Sequence, residues 1–147
     1  MCNDGNPCTQ TDQCNGTSAD VCLGTNYAWS GVLQPINVDG SSVFPRKLGS
    51  TIPVKFRLTG PCAGGSALTF KIFVAFITGG VLGTETEATS TSAADTGNVF
   101  RTDGSNDQYI FNLATKPLSV GTYQIRIAQY LGTTELSTLG TVNISLR

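Results

Sequence analysis

The sequence predicts an all-β protein: an antiparallel sandwich over residues 27–147, preceded by a short disulfide-stapled segment over residues 1–26. Three observations point there. Apolar residues recur at every second position in several separate stretches from Ile52 onward, the period of half-buried strands. Four of the five cysteines fall within the first 22 residues. Charged residues make up only 13% of the chain, against a usual share of about 25%. Thr, Ser, Gly and Asn take the polar positions instead, a balance that suits strands and turns.

The head comes first. Cys2, Cys8, Cys14 and Cys22 enclose a stretch in which Ala19 and Val21 are the apolar residues. So little apolar surface does not offset the entropy of ordering the chain. Disulfides, each contributing about 2–4 kcal/mol, are expected to hold it, and four cysteines allow about three pairings among which sequence does not choose. Zinc is the competing reading. Its thiolates usually come about two to four residues apart, whereas five, five and seven residues intervene here. Cys62 stands alone in a turn-like Thr-Gly-Pro-Cys-Ala-Gly-Gly stretch. An odd cysteine implies a thiol open to an intermolecular bridge, or one that captures a head cysteine and leaves another free.

Asp4, Asn6 and Asp12, with Gly5 between them, offer oxygen atoms at a spacing that can ring a calcium ion. The acidic residue that closes a full calcium loop is missing, and ordinary turn capping explains the same residues. Asn15-Gly-Thr17 and Asn143-Ile-Ser145 match the glycosylation acceptor pattern. Met1 is followed at once by Cys2-Asn3-Asp4, which is not a signal peptide. Because such cysteine density belongs to oxidising compartments, the expectation is a mature or excised part of a longer extracellular protein.

In the body, Ile52, Val54, Phe56 and Leu58 alternate with polar positions, as do Leu68, Phe70, Ile72, Val74 and Phe76. Tyr109, Phe111 and Leu113, then Tyr123, Ile125 and Ile127, then Val142, Ile144 and Leu146 repeat the pattern. Residues 85–94 are the best helical candidate but are crowded with Thr and Ser. Strands at this spacing predict an immunoglobulin-like sandwich, and Tyr123, just after Gly121 and at the start of a late strand, fits its tyrosine corner. Trp29 is expected in the core rather than forming a sugar platform with Tyr27 and Tyr130. Asp95, Asn98, Asp103, Asn106 and Asp107 are read as turn residues in preference to a second calcium site. Lys55 and Asn143 both fall on outward positions, so the dry setting that a Lys–Asn crosslink needs is not expected.

Tyr27-x-Trp29-x-Gly31, then Gly49 to Phe56 with Pro53, Lys55 and Phe56 as the motif, then residues 94–101, 108–113 and 121–123, resemble the PxKF domain of secreted bacterial proteins. The head resembles a bacterial Cys-x-Asp-Gly-Asn-x-Cys-Thr-x-x-Asp-x-Cys repeat. These resemblances imply a module of large extracellular proteins and imply no enzymatic activity. Cys62, in the turn after the motif, departs from the pattern.

The chain contains no histidine, which removes the commonest general base and metal ligand. With no nucleophile elbow or phosphate loop, an enzyme is not expected. A net charge of −1 with no basic stripe argues against nucleic acid, and no apolar run reaches the roughly 18 residues of a membrane span. Residues 1–45 carry Asp4, Asp12, Asp20 and Asp39 and no Lys or Arg, while all nine basic residues follow Pro45. The expectation is therefore a structural or adhesive module outside the cell, a subunit or repeat of a surface or fibre assembly. Copies of itself or neighbouring domains would be its partners, met by the acidic head. The alternative is a glycan- or ligand-binding accessory module of a larger secreted protein.

Overall fold

The computed structural model describes residues 10–14, 22–25, 28–45, 50–59, 68–102 and 108–147. Every regular element among them is a strand. In the head, β1 (Gln10–Cys14) and β2 (Cys22–Thr25) pair antiparallel as a two-stranded ribbon.

Two sheets face each other in the body. The first has the order β3 (Ala28–Val32), β5 (Thr51–Thr59), β9 (Gln108–Ala114), β8 (Arg101–Thr102). The second runs β4 (Ser42–Phe44), β11 (Thr134–Leu146), β10 (Gly121–Leu131), β6 (Leu68–Thr78), β7 (Val81–Glu87). All pairings are antiparallel except that of β4 with β11.

Alternation explains the layering. Ile52, Val54, Phe56 and Leu58 on β5 meet Phe70, Ile72 and Val74 on β6, Phe111 and Leu113 on β9, and Ile125 and Ile127 on β10 in one core. Phe56 sits at its aromatic centre, stacked on Tyr109 at 4.9 Å and edge-on to Phe70 and Phe100. Pro53 is tolerated inside β5 because β3 pairs with β5 only as far as the Leu33 N–H to Lys55 carbonyl bond, so the missing donor falls beyond the ladder.

Gly31, at φ 77°, bulges β3 between Trp29 and Val32, and the Ser30 hydroxyl accepts the Arg57 N–H at 2.9 Å where the ladder is interrupted. Trp29 then reaches across to the opposite sheet. Its ring occupies the space where a Cβ on Gly140 would stand, 2.4 Å away, and packs tilted on Phe56. The tryptophan is partly buried and packs against the core, whereas the sequence predicts it within the core.

Both flanks are crossed by chain that changes sheets. On one side β3 belongs to the first sheet and β4 to the second. On the other, residues 88–102 weave between the two. The Thr89 carbonyl accepts from Ala114 and the Asn112 carbonyl accepts from Thr91, so this part lies on β9. Residues 98–100 lie on β6, with Ile72 N–H to the Asn98 carbonyl at 3.0 Å and Phe100 N–H to the Phe70 carbonyl at 2.8 Å. β8 returns to β9. Residues 85–94 are thus the end of β7 and turns, not a helix.

The turn into β10 is fixed by Tyr123, whose buried hydroxyl accepts the Ser119 N–H at 2.8 Å. Tyr123→Phe removes that acceptor and nothing else, with an expected loss of about 1–2 kcal/mol. Urea unfolding checks this as a lower midpoint at unchanged slope.

Candidate functional site

Three surface features carry concentrated chemistry. The first is the woven flank around Asp95. Its side chain is fully buried and accepts from the Ser90 hydroxyl, from the Asn112 N–H at 3.1 Å and from Arg101 Nη1. Burial pushes this carboxyl upward. The Ser90, Asn112 and Arg101 bonds together outweigh burial, so its pKa lies below the ordinary 3.8. Asn98, also buried, donates its amide to the Ile72 carbonyl at 3.0 Å. A polar cleft of about 420 Å³ opens beside them, lined by Glu87, Thr89, Ser90, Ser92, Asp95 and Asn98. Asp95 and Asn98 face protein partners, as turn residues do. Asp103, Asn106 and Asp107 lie outside the described residues.

The second feature lies on the solvent side of the five-stranded sheet. Arg126 on β10 reaches over β6 to β7, where Glu85 accepts from Nε at 2.8 Å and from Nη2 at 2.7 Å. Its Nη1 bonds Glu135 and the Thr138 hydroxyl on β11. The hydrogen bonds to Glu85, followed by those to Glu135, raise its already high pKa against the opposing effect of burial. The guanidinium lies 4.7 Å over the Phe73 ring, and Lys71 Nζ lies 4.6 Å over that of Tyr130. Each ring therefore already has a cation on it. Phe73 is half-buried in this arrangement. Trp29 and Tyr130 do not form a platform: Trp29 faces the core and Tyr130 lies on the outer face of the opposite sheet. Tyr27 is outside the described residues.

The third feature is the outer face of the four-stranded sheet. Lys55 and Arg57 project from β5 on the side opposite Val54, Phe56 and Leu58. Arg101 is the row neighbour of Lys55 through Ile110. Arg101 is engaged by Asp95. Neither Lys55 nor Arg57 is in an ion pair with a described carboxylate.

The remaining candidates divide by location. Cys2, Cys8, Cys62, Asp4, Asn6 and Asn15 lie outside the described residues. Cys14 and Asp12 stand on β1 and Cys22 on β2, with Cys14 directly opposite Cys22 in the register. Asn143 is exposed on β11, between β10 and β4. Lys55 and Asn143 belong to different sheets. Sequence reasoning missed the Arg126 cluster, because its members are far apart in the chain and polar alternation alone does not say which cross-strand neighbours meet. Among the described residues no group of three or more Cys, Asp or Glu side chains converges as a metal cluster, and no helix is long and apolar enough to cross a membrane. Comparison of the chain with protein-family models and with curated proteins finds no match.

Proposed function

We propose that the chain is a structural or adhesive module of an extracellular assembly, an immunoglobulin-like sandwich whose oxidised, acidic head contacts a neighbouring copy or domain. The strand orders support the immunoglobulin-like part. In the lettering of that fold, β3-β5-β9-β8 reads A-B-E-D and β6-β10-β11 reads C-F-G. The Tyr123–Ser119 bond sits where a tyrosine corner belongs. The PxKF resemblance points the same way, toward large secreted proteins.

One observation carries the contact. Lys55 and Arg57 stand side by side on a solvent-facing sheet without an ion-pair partner among the described residues, while the head, residues 1–26, holds Asp4, Asp12 and Asp20 and no cation. Opposed charge of this kind sets the orientation of an encounter and is screened by salt. Sedimentation across a concentration series should show self-association at low ionic strength that weakens at high salt. The double variant Lys55→Glu, Arg57→Glu should remove it. Association that ignores both salt and the charge reversal, or a monomer under every condition, would refute the contact between copies.

A further inference from the structure

We infer that Cys14 and Cys22 are joined to each other in one disulfide that closes the β1–β2 ribbon. The inference deepens the proposal above, because it rests on the head being oxidised. Four head cysteines admit three pairings; the backbone register selects among them. Cys14 and Cys22 are Cα partners at the closed end of the ribbon, next to the Gln13–Leu23 pair. Directly opposed residues of antiparallel strands have Cα atoms about 4.5 or 5.5 Å apart, and disulfides span about 4.4–6.8 Å. Either kind of pair therefore falls within the Cα separation that a disulfide spans.

An isolated two-stranded ribbon is marginal in water. This one has strands of five and four residues, joined by seven residues whose apolar members are Ala19 and Val21. A covalent tie between the strands supplies what so few apolar residues do not.

The chemistry balances with a disulfide oxidant such as oxidised glutathione. The two cysteine thiols give up two electrons and two protons as the sulfur–sulfur bond forms, and the oxidant becomes two thiols. Once Cys14 and Cys22 are paired, Cys2, Cys8 and Cys62 remain as an odd set. The thiol open to a neighbour then belongs to that set and not to the ribbon.

The sequence makes the test decisive. Cleavage before Asp4, Asp12, Asp20, Asp39 and Asp95 puts every cysteine on its own peptide: Cys2 on 1–3, Cys8 on 4–11, Cys14 on 12–19, Cys22 on 20–38 and Cys62 on 39–94. The full chain, folded with a glutathione redox pair and blocked with N-ethylmaleimide, is digested by an Asp-specific protease without reduction, and linked peptides are read by mass spectrometry. The expected result is peptide 12–19 joined to 20–38 in material whose intact mass is that of one chain. Cys14 or Cys22 joined to a peptide carrying Cys2, Cys8 or Cys62 would overturn the pairing while leaving the oxidised head standing. All five cysteines carrying N-ethylmaleimide would overturn both. Neither outcome depends on whether copies associate.

Discussion

Phe56→Ala is expected to destabilise the sandwich by about 3–5 kcal/mol, the range for deleting a large buried aromatic. Phe56 has no exposed surface and is the one ring that touches Trp29 from β3, Tyr109 from β9, Phe70 from β6 and Phe100 from the woven flank. Its removal opens a cavity walled by both sheets, which cannot close without drawing rigid ladders together. Phe56→Leu keeps much of the volume and should cost markedly less. Urea denaturation measures both. A loss below about 1 kcal/mol for the alanine variant would show that the core is not centred on this ring.

Asp95→Ala should cost about 2–4 kcal/mol, because it leaves the Ser90 hydroxyl and the Asn112 N–H without their acceptor and Arg101 without its counter-charge. Arg101 is one-third exposed, and water regained there keeps the loss below that of a fully buried pair. For a chain of this length the corresponding drop in melting temperature is roughly 5–15 °C. The pH dependence has a definite sign. A carboxyl whose folded pKa lies below 3.8 binds protons more readily when unfolded, so its contribution is complete above that value and is lost as pH falls through the folded pKa. The stability gap between the parent chain and Asp95→Asn should therefore be constant at neutral pH and narrow below about pH 4. A gap that widens on acidification would assign the stabilisation to another group.

The strands with one buried face were legible in the sequence, and the reason is local. Ile52 to Leu58 and Tyr123 to Ile127 alternate because a pleated strand under a second layer sorts its side chains by side. β7 was not legible, since all seven of its residues are exposed and hydropathy records burial rather than backbone pairing. The same limit hid the weave of residues 88–102, whose segments are too short to show a period. Gln129 on β10 is buried on the core side, where alternation alone would place an apolar residue; its oxygen accepts from Ser137. Asp95 was visible as a turn residue. Its part in tying Ser90, Arg101 and β9 together was not, because those partners meet only when the chain has crossed between sheets.

The parallel pairing of β4 with β11 has a mechanical consequence. Ser42, Val43 and Phe44 lie opposite Ile144, Ser145 and Leu146, and both strands run the same way. A pull on the chain entering β4, set against a pull on the chain leaving β11, drags the two strands past each other along their length. The ladder bonds between them are then strained together in shear instead of being peeled one after another. This pair resists tension between the chain entering β4 and the chain leaving β11 better than the exposed β6–β7 hairpin resists being peeled open, since β7 pairs with β6 alone among the described strands.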